Sequence, residues 1–173
     1  MSSEDLLSPA LLFAESPHLG VIYDLANKLS DRLQILDFGP VGSRAVLLIQ
    51  GPSQEIHLLL ESQAKVKSAL EITVVLRHVD IITQTYLSMM EAPLQSVLMV
   101  AESNSLAEIL KLAEILVEKG LGLIELRKIR GHEGKAYLLA TGPSAIDAPS
   151  SFPGQLQVIE PVTPSVRHLF TPS

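Results

Sequence analysis

Two glutamates stand in matching settings, Glu15 within Ala14-Glu15-Ser16 and Glu102 within Ala101-Glu102-Ser103. A pair of carboxylates is the minimum for general acid–base chemistry when both reach one reacting atom. Here each belongs to its own copy of a repeated segment, so structural pairing with a backbone amide or a neighbouring chain is the better reading. The five histidines, His18, His57, His78, His132 and His168, are scattered, and no two have metal-ligand spacing on one helix or strand. His132 differs from the others. Its Gly131-His132-Glu133-Gly134 setting exposes the ring on a loop, where protonation near neutral pH would alter a local field. The plainer alternative is an ordinary solvated loop histidine. Gly39-x-x-Gly42 lacks the Lys-Ser or Lys-Thr that a phosphate loop requires. Ser16, Ser43 and Ser53 lack the Gly-x-Ser-x-Gly context of an exposed nucleophile. Met89-Met90 suits packing better than ligation. Cysteine is absent, which excludes thiol catalysis, disulfides, zinc–cysteine sites and iron–sulfur clusters. No nucleophile–base pair emerges, and the expectation is a protein without catalytic residues, metal or cofactor.

Composition narrows the field further. The chain has 173 residues, 47% of them hydrophobic, which excludes wholesale disorder and permits one domain or two small ones. Aromatics make up only 4% and tryptophan is absent, so the core must be aliphatic. A mean hydropathy of +0.32 suits a chain that buries extra surface against copies of itself. Thirteen basic against 19 acidic residues give a net charge of −6, and the absence of any basic tract argues against nucleic acid as a partner. The first residues are acidic rather than basic, unlike a secretory signal. Apolar runs such as residues 45–49 are too short to span a bilayer. The expectation is a soluble cytoplasmic protein with no membrane partner.

The chain is written twice. Ala14-Glu15-Ser16 recurs as Ala101-Glu102-Ser103, and Leu19, Ala26 and Leu29 recur as Leu106, Ala113 and Leu116. Gly51-Pro52-Ser53 returns as Gly142-Pro143-Ser144; Val74 and Tyr86 then match Val158 and Phe170. A unit of about 85 residues exceeds any solenoid repeat and has the size of a small domain. The natural boundary is Glu91-Ala92-Pro93, giving copies at residues 1–92 and 93–173.

Each copy reads as β-α-β-β-α-β. In the first, residues 10–14 suit a buried strand, and Ile22, Leu25, Ala26 and Leu29 have helical spacing. Strands follow at 34–38 and 45–50, with a loop over 39–44 between them. Gly51-Pro52-Ser53 starts a helix that buries Ile56, Leu59 and Leu60; a strand at 71–76 and a short helix at 81–89 close the copy. In the second, strands at 96–101, 121–128, 135–141 and 156–160 accompany a helix at 105–119. Its opening Ser105-Leu106-Ala107-Glu108 has capping-box spacing. After Ser144, Pro149, Pro153 and Gly154 leave room for barely one helical turn. The fold class is α+β, as two tandem ferredoxin-like modules, each a four-stranded antiparallel sheet with helices on one face.

At this level each copy resembles the bacterial microcompartment shell domain, and the whole chain resembles its tandem-domain shell proteins. The residues that carry the likeness are Glu15-Ser16 and Glu102-Ser103, each followed by an amphipathic helix. To these are added the stretches 34–43 and 123–131, and the turns Gly51-Pro52-Ser53 and Gly142-Pro143-Ser144. The resemblance implies a structural protein: a trimer, its two domains per chain making a pseudohexameric disc, which stacks or tiles with other shell proteins. It also implies a central pore for small metabolites, lined by Gly42, Ser43 and Arg44 alternating with Gly131, His132 and Glu133. There Arg44 would attract anions or pair with Glu133 across neighbouring loops, whereas an ordinary loop arginine would pair with Asp37 or with solvent. The family's disc-edge lysine falls at Leu29 and Val117, leaving the nearby Lys28 and Lys119 as candidate subunit-edge residues. The lack of cysteine excludes the variant that holds an iron–sulfur cluster in its pore. The implied location is the shell of a bacterial microcompartment in the cytoplasm. Two alternatives share the fold class. One is a small-molecule sensor with a ligand cleft in each copy, and the other is an assembly that never tiles.

Overall fold

The five-residue run Ala10-Leu11-Leu12-Phe13-Ala14 is buried on both sides, every member at 2% exposure or less. Such a strand must lie in the middle of a sheet, because only two flanking strands can satisfy its backbone groups away from water. In the computed structural model, which describes residues 7–62, 70–89, 91–129, 135–147 and 149–170, this is what is found. Strand β1 (Pro9–Ser16) pairs antiparallel with β3 (Arg44–Pro52) on one side and β4 (Glu71–Val75) on the other, and β2 (Gln34–Val41) adds an outer strand. The order β2-β3-β1-β4 is ferredoxin-like.

The second sheet repeats it. Strand β5 (Val97–Ser103) lies between β7 (Ala136–Gly142) and β8 (Gln155–Ile159), with β6 (Gly122–Lys128) outermost, in the order β6-β7-β5-β8. Even the irregularities coincide: a register shift falls between Ile35 and Asp37 on β2, and between Leu123 and Glu125 on β6. A bulge conserved between two copies marks a shared ancestor of the local backbone.

Helices α1 (Leu19–Ala26) and α2 (Ser53–Ser62) cover one face of the first sheet. Ile22 and Leu25 from α1, with Ile56 and Leu59 from α2, close over Ala10, Leu12, Leu47 and Ile49. Leu29, expected on the helix, lies past its end, where bonds from Lys28 N–H to Leu25 O and from Leu29 N–H to Ala26 O tighten the chain. The side chain still packs on the core. By contact the chain divides at Val79, so that α3 (Val79–Tyr86), from Asp80 onward, groups with the second unit.

In that unit α4 (Leu106–Glu118) packs on β5, β6 and β7. The described residues between Gly142 and Gln155 form turns where the first copy has α2, including a bond from Phe152 N–H to Pro149 O. The short α5 (Pro164–Arg167) follows β8, and Val162, Val166 and Phe170 pack with Leu98, Val100, Leu139 and Ile159. These strand residues alternate with Val97, Met99 and Ala101, so they lie on the opposite face.

Two glycines test this packing. A Cβ at Gly154 would stand 2.3 Å from Glu102 O and 2.4 Å from the Phe152 ring, whereas one at Gly20, in α1, meets nothing within 4 Å. Gly154→Ala is expected to destabilise by about 1–3 kcal/mol through overpacking. Gly20→Ala should stabilise by up to about 1 kcal/mol through helix propensity. Urea unfolding midpoints of the two variants should therefore move in opposite directions.

Candidate functional site

The loop expected over residues 39–44 is almost all strand. Strand β2 runs through Gly39 and Pro40 to Val41, which pairs with Arg44, and only Gly42 and Ser43 make the turn. Gly42 has φ 60, the positive value that a two-residue hairpin turn demands at its first central position. Glycine supplies it without steric cost. Gly42 and Ser43 are exposed at the tip.

Arg44, at the base of the tip, turns back over the end of the sheet. Its Nη2 lies 2.8 Å from Glu71 Oε1 and its Nε 3.3 Å from Glu15 Oε1. The two glutamates are direct cross-strand neighbours on β1 and β4, a pairing that like charges disfavour. The guanidinium between them removes the repulsion. Its hydrogen bond holds the Glu71 carboxyl below the ordinary value and raises Arg44 in turn. Arg44 therefore has two acidic partners, neither of them Asp37, and both lie far from it in sequence. Glu15 is a structural carboxylate, as expected, but its partner is a side chain of its own copy.

The second copy keeps the geometry and changes the charges. Ala136 pairs with Ser103 as Ala45 pairs with Ser16, so Lys135 takes the place of Arg44. Glu102 keeps the place of Glu15, and Gln155 replaces Glu71. Glu102, Lys135 and Gln155 line a polar depression of about 440 Å³ with Ser103 and Glu108. Ser103 is buried; its Oγ accepts the Ser105 N–H at 3.1 Å and bonds to the Glu108 carboxylate. Ser105 itself makes no side-chain cap. The capping role read at Ser105 thus belongs to Ser103, and Ser16 does the same by accepting the His18 N–H at 3.1 Å. The repeated Glu-Ser is a device for leaving a strand and entering a helix. Its duplication was the available signal.

The other candidate residues are dispersed. Gly131, His132 and Glu133 lie outside the described residues; the bond from Ile129 N–H to Lys135 O closes the base of their loop at 2.8 Å. Lys28 is bound to Asp24 at 2.6 Å, one helical turn back. Lys119 is exposed at the end of α4, its N–H donating to Ile115 O. His57 sits 3.2 Å from Glu61, while His18, His78 and His168 are exposed. Among the described residues no group of histidines and carboxylates could hold a metal ion, and no helix is long and apolar enough to cross a membrane. Glu15 belongs to the first unit and Glu102 to the second.

The Arg44 cluster has a definite pH signature. A carboxylate whose folded pKa is depressed stabilises the protein above its unfolded pKa, and the gain is lost as pH falls through the folded value. Arg44→Met should lower stability at pH 7 by up to about 1 kcal/mol, the range of partly exposed ion pairs. The difference from the parent should vanish in acid, below the ordinary glutamate value of 4.5. Thermal melts at pH 7 and pH 3 measure it.

No family model and no curated protein matches the chain. Among solved structures it is similar to a microcompartments protein from Desulfitobacterium hafniense DCB, with a TM-score of 0.66 and 17% identity over 78% of each chain. At that identity the likeness is one of fold. The chain is built, twice over, on the α+β architecture that the resemblance implied.

Proposed function

We propose that this chain is a structural building block of a bacterial microcompartment shell, assembling as a trimer of pseudohexameric symmetry around a central pore. The observation that carries the reading is the duplicated hairpin: two copies of one module, in a fold like that of a microcompartments protein, each ending β2–β3 or β6–β7 in a loop at the same place. Three such chains are the complement of a six-domain ring.

In this reading the pore for small metabolites is lined by Gly42 and Ser43 alternating with Gly131, His132 and Glu133. Arg44 has a different part from a free anion trap. Held by Glu15 and Glu71, it fixes the base of the first tip and leaves that end of the sheet with no surplus positive charge. The protein acts passively, without catalysis or cofactor, as a wall that selects by width and charge. Its partners are its own copies, through stacked or tiled discs, and other shell proteins, with Lys28 and Lys119 at candidate edges. Its place is in the shell, within the cytoplasm.

Native mass spectrometry over a concentration series tests the reading. Three chains of 18.7 kDa give about 56 kDa and two stacked discs about twice that. A monomer or a plain dimer at every concentration would overturn it and favour a sensor with one ligand cleft per copy.

A further inference from the structure

The two copies bury one and the same surface to different extents. In the first, Leu19 and Tyr23 on α1 join Ile35 and Phe38 on β2 in a single apolar patch, the two rings meeting edge to face at 4.8 Å. Leu19 is nevertheless 44% exposed, Tyr23 56% and Ile35 46%. Their counterparts are Leu106 and Leu110 on α4 and Leu123 and Leu126 on β6. None of these is more than 3% exposed. The equivalence is fixed by register: Ile35 faces Ile49, Leu123 faces Ala140, and a bulge follows each.

Part of the cover over the second patch comes from the segment that follows α3. Ala92 N–H donates to Leu123 O at 2.9 Å, and Arg127 Nη2 donates to Ser88 Oγ at 3.2 Å. Ala92 lies so close to Gly122 that a Cβ there would come within 2.5 Å of it. The outer edge of β6 is thus occupied by residues that come just after the closing helix of the preceding copy.

The closing helices show the opposite imbalance. On α3, Ile82, Thr83 and Thr85 are buried. The matching positions at the end of the second copy are Val166, Arg167 and Leu169, of which Arg167 is exposed and Leu169 is 80% exposed. Each chain therefore carries one covered and one bare version of two different surfaces. The bare patch lies on the first copy and the bare closing segment on the second.

We infer that the two bare surfaces are halves of one head-to-tail interface. The occupant of the Leu19–Tyr23–Ile35–Phe38 patch is a second copy of this chain, presenting the end of its second copy around Leu169 and Phe170. A contact between two different surfaces repeats until it closes on itself or runs on as a filament. The inference rests on the ring proposed above for its closure, but its location comes from burial alone.

The absence of cysteine makes the test direct. Ile35→Cys and Leu169→Cys chains, produced together in one cell under different tags, are treated with a short flexible bismaleimide. The expected product is a mixed dimer of one chain of each kind, with neither variant alone giving a dimer. Dimers from Ile35→Cys alone would mean a two-fold contact and would overturn the head-to-tail assignment. In parallel, Tyr23→Glu, at a half-exposed site and checked for folding by circular dichroism, should raise the concentration needed for assembly at least tenfold. A trimer by native mass spectrometry that gives no mixed product and ignores Tyr23→Glu leaves the ring standing and sinks this interface. A protein that is monomeric at every concentration sinks both.

Discussion

The antiparallel pairing of β1 with β3, and of β5 with β7, is the constraint on which the rest depends. Ala10 to Ala14 and Ala45 to Ile49 are buried throughout, so these strands lack the alternation of polar and apolar residues that normally sets register. A slip by one residue would expose no polar group to the core and would meet little resistance from side-chain chemistry. Register is instead imposed by backbone features at the strand ends and edges. The Gly42-Ser43 turn locks β2 to β3, the bulges at Leu36 and Ile124 absorb one residue each, and the Glu15–Arg44–Glu71 cluster ties β1, β3 and β4 at one end. The aliphatic composition follows from the same constraint: each leucine or isoleucine buried there contributes about 1.5–3 kcal/mol, without an aromatic ring to place.

On this common frame the copies have diverged in how they cover the sheet. The first uses two short helices, with Ile22, Leu25, Ile56 and Leu59 pointing inward. The second uses one helix of 13 residues that buries Leu106 and Leu110 as well, and it replaces the other helix by turns that bring Phe152 and Gly154 against the end of β5. Charge has diverged at the sheet end too. Glu-Glu-Arg in one copy becomes Glu-Gln-Lys in the other, so the formal sum of the three moves from −1 to 0. The polar set stays nearly isosteric, which keeps the strand ends in place while altering the field beside each loop.

The duplication, the element order and the aliphatic core were legible because they rest on local pattern. Three features were not, for separate physical reasons. Gly39 and Pro40 look like loop residues, yet β2 is an edge strand, where a proline without an N–H and a glycine at φ 140 are tolerated. Spacing pointed to Ser105 and Glu108 as a mutual cap, but the strand ends with Ser103 already aimed back at the helix, and it takes both partners. Arg44 was read against its neighbour Asp37, while its partners are brought to it by the β1–β4 pairing. The unequal exposure of Tyr23 and Leu110 is beyond any pattern reading, since the two positions have the same place in the same helix and differ only in what covers them.

Fusing two copies in one chain has a consequence that a single-copy ring lacks. In a ring of identical modules every tip must be the same, because each is the same sequence. A chain with two copies lowers the symmetry and lets adjacent tips differ. Here one tip is a turn of two residues held rigid by a positive φ and an arginine clamp, while the other has five residues between Ile129 and Lys135. In the proposed ring these alternate, three short and three long. The short tips then act as fixed spacers set by backbone geometry, and the long ones, carrying His132 and Glu133, hold the titratable groups. Width and charge become properties of different loops, free to vary separately.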